Sequence, residues 1–361
     1  MANNPVTVIG AGLAGSEAAW QLANRGVPVT LVDMKPLKFS PAHHMETCAE
    51  LVCSNSLKAE HLANGSGLLK AEMKKLNSLI LAAAEKSRVP AGAALAVDRD
   101  KFSEEVTRRL AAHPLIAMEH RLVTALPDAP CIVATGPLTD PAFTDALTAL
   151  PHLSSLHFFD AAAPIVTAES IDMNRAFRAS RYEKGSDYLN CPMTREEYDA
   201  FYEALISAEL AEVHDFEKKL VFEGCLAVEI LAGRGHDTLA FGPLKPMGLT
   251  DPHTGKRPYA VVQLRQENET ATLYTLVGFQ TRLKWGEQKR VFRMIPGLER
   301  AEFARYGVMH KNAYLNGPEA LVRNYAWKEN PLVRFAGQFS GVEGYVESAA
   351  SGMVAAIGLA Q

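Results

Sequence analysis

The chain begins with an unbroken apolar run, Val6 to Ile9, which predicts a buried strand. Gly10, Ala11, Gly12, Leu13, Ala14 and Gly15 follow at once as G-x-G-x-x-G, then the helix-forming stretch Ser16 to Asn24 and a glycine stop at Gly26. A second apolar run, Val29 to Val32, predicts the next strand and ends on Asp33. Met34 to Ala63 has poor periodicity and reads as a functional loop with a short helix. Beyond it, Leu69, Met73, Leu76, Leu79 and Ile80 recur at helical spacing and predict one amphipathic helix over Leu68 to Lys86. Phe102, Val106 and Leu110 predict another over Lys101 to Ala112. Strands are expected at His120 to Ala125 and from Cys131, the latter closing on Ala134-Thr135-Gly136. From about Asp160 to Tyr306 the texture changes to short strands, prolines and scattered charges, with a helix predicted over Glu196 to Leu210 and strands over Tyr259 to Arg265 and Thr272 to Phe279. Arg334 to Tyr345 is again a strand running into glycines, before a helix over Val346 to Leu359. The pattern predicts an α/β fold in which both chain ends complete one sheet and an α+β domain is inserted between them.

The opening β-α-β unit carries candidate chemistry. Gly10 allows a tight turn, Gly12 lets a pyrophosphate approach the backbone, and Gly15 lets helix pack on strand. An anion there meets the unpaired N–H groups of a helix N-terminus. An acid some twenty residues beyond the glycines is placed for a ribose hydroxyl, so Asp33 points to FAD or NAD rather than NADP. A later strand closing on Ala134, Thr135 and Gly136 favours FAD. The N-terminus of the last helix is expected to face an electron-rich atom such as a flavin ring oxygen.

Composition narrows the class. At 361 residues, 48% hydrophobic and 22% charged, the chain is expected to be a globular protein with a real core. Its net charge of −4 excludes an overall basic nucleic-acid binder but leaves room for a local basic face. Between Arg282 and Lys311, eight basic residues (Arg282, Lys284, Lys289, Arg290, Arg293, Arg300, Arg305, Lys311) stand against three acids, Glu287, Glu299 and Glu302. With Trp285, Phe292, Phe303 and Tyr306 interleaved, the segment reads either as a grip for phosphates and bases or as a solvated helix face over core aromatics. The five cysteines, Cys48, Cys53, Cys131, Cys191 and Cys225, include no C-x-x-C, so neither a disulfide scaffold nor a zinc ribbon is expected. His43 and His44 have no second ligand cluster, and no metal site is expected. Cys53-Ser54-Asn55-Ser56 reads as a thiol beside a helix N-terminus or as a small buried hydrophobe. No apolar run approaches the ~20 residues that span a bilayer and no leader precedes the first strand, so a cytoplasmic protein without membrane contact is expected.

Several segments are more specific than a dinucleotide fingerprint: SPAHH, AELVCSNSLKAE, SRYEKG, FEGCLAVEI, FGPLKPMGL, VGFQTRLKWGEQKRVFRMIPGLE and FAGQFSGVEGYVESAASG. In these, nearly end to end and in order, the chain resembles the folate- and FAD-dependent tRNA uracil-5-methyltransferases, the TrmFO (Gid) family. The resemblance implies an FAD-binding Rossmann-like domain of the two-dinucleotide, MnmG/GidA-related type over 1–160 and 312–361, with an inserted substrate and RNA-binding α+β domain over 161–311. It implies methyl transfer from 5,10-methylenetetrahydrofolate to carbon 5 of uracil-54 in the tRNA T loop, with FAD carrying reducing equivalents supplied by NADPH or NADH. Cys53 and Cys225 would be the catalytic thiols, Cys225 as nucleophile at carbon 6 and Cys53 as base. FAD would lie on Gly10 to Gly15, Asp33, Ala134 to Gly136, Gly337, Gly341, Val342, Glu343, Gly344 and Tyr345, with Tyr345 stacking by the flavin and folate rings. The alternatives are methylation of ribosomal RNA by a family relative, a small-molecule FAD oxidoreductase, and a flavin-bound RNA-binding protein without catalysis.

Overall fold

A computed structural model describes residues 5–128, 130–181, 185–211 and 226–361. Strand β1 (Val6–Ile9), helix α1 (Leu13–Ala23) and strand β2 (Val29–Asp33) form the expected unit, with Val8 paired in parallel to Leu31. The Met34 to Ala63 stretch contains no helix and ends in β3 (Ser56–Ala59). The predicted long helix is two: α2 (Gly65–Lys75) and α3 (Leu79–Lys86). Asn77 takes a positive φ of 58° and Ser78 caps the second helix, its hydroxyl accepting from the Leu81 N–H. Helical periodicity runs through both halves and does not register a change of axis. Glu17 on α1 fixes that change, its buried carboxylate accepting from the Ser78 hydroxyl at 2.7 Å and the Ile80 N–H at 3.0 Å. Strands β4 (Arg88–Val89) and β5 (Ala94–Val97) join β3 in a small antiparallel sheet before α4 (Arg99–Ala111).

The strand expected over His120 to Ala125 lies earlier, as β6 (Ile116–His120). It follows β2 in parallel until Asp33 meets His120, where its partner ends and the chain turns away. Strand β7 (Cys131–Val133) and helix α5 (Pro141–Thr148) come next. The chain leaves through β8 (Ser155–Ala161) and returns through β15 (Met309–Leu315), which pair antiparallel. Between them a second sheet runs in the order β10 (Phe177–Arg178), β11 (Leu189–Met193), β12 (Ala260–Gln266), β13 (Leu273–Leu276), β9 (Ile165–Thr167), β14 (Phe303–Arg305). Helices α6 (Arg195–Ile206), α7 (Val228–Ala232), α8 (Thr238–Phe241) and α9 (Trp285–Phe292) accompany it. Tyr198, Phe201, Phe279 and Phe292 are buried with its apolar strand residues in a core of their own.

After α10 (Gly317–Ala320), strand β16 (Val333–Phe335) completes the five-stranded parallel sheet β16-β7-β1-β2-β6. Helix α11 (Tyr345–Ala360) then packs on α1. Small residues permit this approach, since a Cβ on Gly352 would lie 2.1 Å from the Ala14 carbonyl oxygen. The arrangement is an FAD-binding, Rossmann-like α/β fold carrying a second α+β sheet.

Candidate active site

The carboxyl ends of β1, β2 and β7 and the start of α11 surround a cleft of about 1130 Å³, counting its open mouth. The glycines divide the work of shaping it. Gly10 has φ +97°, and a Cβ there would lie 2.5 Å from the Ala134 carbonyl oxygen; one on Gly15 would lie 1.8 Å from that of Gly10. At Gly12 nothing stands within 4 Å of the Cβ position, so the missing side chain leaves room for a bound group against the backbone. Gly12 caps α1 without a side-chain hydrogen bond, and the helix presents its first N–H groups to the cleft. These features fit a dinucleotide.

Asp33 lines the cleft and also braces it: one carboxylate oxygen accepts from the Ala11 N–H at 2.7 Å, the other from the Lys35 N–H at 2.8 Å. Leu13, Ala14, Ala134, Thr135, Gly136, Gly337 and Tyr345 are on its wall as well. Ala11, Gly15 and the stretch Gly341, Val342, Glu343 and Gly344 are not among its lining residues. Sequence reasoning passed over His43, Glu50, Arg121, Gln338 and Ser348, which are. His43 lies in the SPAHH segment, Glu50 in AELVCSNSLKAE, and Gln338 and Ser348 in FAGQFSGVEGYVESAASG; Arg121 carried no such signal. Burial lowers the His43 pKa below its ordinary value, the Glu50 carboxylate acting in the opposite sense.

Beside the cleft stands Cys53. It is not at a helix N-terminus; its loop runs into β3, and its surroundings come from distant parts of the chain. The Tyr345 hydroxyl donates to Cys53 Sγ at 3.1 Å and accepts from the Cys53 N–H at 2.9 Å. Burial, and then the nearby Cys53 charge, hold the Tyr345 pKa well above 10, so this phenol keeps its proton. From the second sheet, Arg265 donates to Ser54 Oγ at 2.8 Å and Asn55 Oδ1 at 2.7 Å. Asn55, fully buried, donates in turn to the carbonyls of Val97 and Gln266. Arg99, at the start of α4, donates to Glu267 at 2.6 Å and to the Leu51 carbonyl. The cysteine loop is thus held between the small antiparallel sheet and the second sheet.

The remaining described cysteines are unsuited to chemistry. Burial pushes Cys48 up to about 11, and Cys131 and Cys191 up to about 12. Cys225 lies outside the described residues. No group of three or more His, Cys, Asp or Glu able to hold a metal occurs among the described residues. In the basic segment, Lys284 pairs with Glu209 and Arg290 with Glu287, Arg293 donates to the Ala301 carbonyl, and Phe292 is core. Trp285 differs: it is 61% exposed and stacks on Tyr306 at 5.5 Å.

Residues 5–361 match the family model described as "Glucose inhibited division protein A". A protein of Acetivibrio thermocellus named methylenetetrahydrofolate--tRNA-(uracil-5-)-methyltransferase TrmFO is 61% identical over 98% of this chain and 82% of its own length. One of the same name in Enterococcus faecalis is 57% identical over 99% of this chain and 82% of its own. The chain belongs to this family. Its fold agrees with a solved structure of GidA from Aquifex aeolicus, with a TM-score of 0.74 at 15% identity. That alignment covers 99% of this chain and 63% of GidA, so the chain spans somewhat under two thirds of the GidA length. No helix among the described residues is long and apolar enough to cross a membrane.

Proposed function

We propose that the protein is an FAD-dependent methyltransferase that moves a one-carbon unit from methylenetetrahydrofolate to carbon 5 of a tRNA uracil, at position 54 of the T loop. The observation that carries this reading is the Cys53 thiol, held by Tyr345 on the wall of a dinucleotide cleft, in a chain 61% identical to a protein so named. Gly12 and the N-terminus of α1 would hold the pyrophosphate, and Asp33 the ribose. Bound there, FAD would supply the reducing equivalents that convert the transferred methylene to methyl, NADPH or NADH having reduced it.

Carbon 5 of uracil is a weak nucleophile until a group adds at carbon 6, and a thiolate suits that reversible addition. Cys225 is assigned this step. Cys53 is assigned removal of the carbon 5 proton: its sulfur already accepts a hydrogen bond from Tyr345, which cannot itself take the proton because the hydroxyl remains protonated. Carbon 5 methylation then ends with the carbon 6–sulfur bond broken and both thiols restored.

The test incubates purified protein with an unmodified tRNA transcript, methylenetetrahydrofolate and NADPH, then digests the RNA and looks for 5-methyluridine. Product confined to position 54, abolished in Cys53→Ala and Cys225→Ala while yellow flavin stays bound, is expected. NADPH oxidation without methylated nucleoside would point instead to a small-molecule oxidoreductase, and methylation of a ribosomal RNA fragment alone to a different RNA.

A further inference from the structure

Near Tyr345, the partner of Cys53, there is a half-buried cation with nothing to hold. Arg305 ends β14, which pairs with β9, and its neighbours fix it in place. The rings of Phe303 and Tyr306 stack at 5.1 Å, and the Gly307 N–H donates to the buried Gln288 carbonyl oxygen at 2.8 Å. The side chain therefore projects from a strand paired in the second sheet, where the charges of Arg99, Glu50 and Glu267 act on it.

Neither carboxylate in that group serves Arg305. Glu267 is bonded to Arg99 and to the Thr275 hydroxyl, and Glu50 to the backbone N–H groups of His44 and Met45. Among the described residues no ion pair or side-chain hydrogen bond engages the Arg305 guanidinium, and its Nη2 is buried without a partner. A guanidinium has five donors and no acceptor, so a buried one normally finds an anion or a carbonyl. Burial and then the like charge of Arg99 both act against its charged form. The neighbouring arginines are already engaged: Arg99 with Glu267 and Leu51, Arg265 with Asn55 and Ser54.

We propose that Arg305 is an anion-binding residue of the reaction site, taking a carboxylate or phosphate oxygen of an incoming substrate beside Cys53 and Tyr345. Its planar fork matches either group. The proposal rests on the methyltransferase reading, in which methylenetetrahydrofolate brings carboxylates at its glutamate end and RNA brings phosphates.

Arg305→Gln and Arg305→Lys in the flavin-loaded full chain test it. Flavin content is expected to stay as in the parent, and the melting temperature of Arg305→Gln without substrate to stay level or rise, because a half-buried charge with no partner has been removed. Binding of tetrahydrofolate and of an unmodified tRNA transcript is then titrated separately, the RNA at two salt concentrations. Arg305→Gln is expected to weaken one of them tenfold or more, with partial rescue in Arg305→Lys. Weakened tetrahydrofolate assigns the carboxylate; weakened RNA with a salt slope smaller by about one assigns the phosphate. Unchanged affinity for both, or a melting temperature lowered by several degrees, overturns the proposal. A parent chain that binds neither ligand refutes the methyltransferase reading itself.

Discussion

At Gly12 and Gly15 one added methyl group has two different meanings. On Gly12 the Cβ enters open space in the cleft, whereas on Gly15 it meets a backbone carbonyl at 1.8 Å. Gly12→Ala is therefore expected to fold with an unchanged melting temperature and to lose at least nine tenths of its flavin, read as absorbance near 450 nm per protein. Gly15→Ala is expected to lose stability, by about 3 kcal/mol in urea denaturation, because helix and strand must separate to admit the group. Equal flavin retention in both would remove the glycine turn from cofactor binding. The same resolution applies at Cys53, where a thiol that composition leaves ambiguous is distinguished from Cys48, Cys131 and Cys191 by its partner, the Tyr345 hydroxyl.

Among the elements, the break between α2 and α3 shows how a polar pair overrides a hydrophobic period. Leu69, Met73, Leu79 and Ile80 keep helical spacing, yet Asn77 adopts a left-handed conformation and Ser78 starts a new helix. The redirected helix lets Glu17 receive the α3 N-terminus in the core, a placement that satisfies a buried carboxylate and otherwise unpaired N–H groups together. Ser78→Ala removes both the cap to Leu81 and the donor to Glu17, and a loss of about 1 to 2 kcal/mol by urea denaturation is expected. An unchanged denaturation midpoint would mean that packing alone sets the bend.

For the molecule as a whole, the second sheet is a structural support of the Cys53 loop. Asn55 ties the Cys53 loop to β5 and β12, Arg265 ties it to β12 again, and the Glu269 N–H donates to Asp98 at 2.9 Å. Asn55→Ala cuts two buried donors and leaves Arg265 short of an acceptor, so a loss of about 3 kcal/mol is expected. Alkylation of Cys53 by iodoacetamide, followed by mass spectrometry, is expected to quicken as the loop loosens. Stability lost without any change in alkylation would show that the sheet holds the fold but not the thiol.

The amino-acid sequence determined the β-α-β unit, its glycine turn and the apolar runs that become β1, β2 and β7. Each of these rests on contacts between residues close in the chain, or on runs of one polarity, which a linear pattern records directly. What surrounds Cys53 was decided by tertiary structure: Tyr345 arrives from 292 positions away, Arg265 from the second sheet, and Arg305 from β14 at the far side of that sheet's order. Basic residues that looked alike in the sequence were separated the same way, Arg290 into a surface pair and Arg305 into a half-buried position without one. Local sequence sets backbone preference, but the partner of a charge or a thiol depends on which distant strands fold beside it.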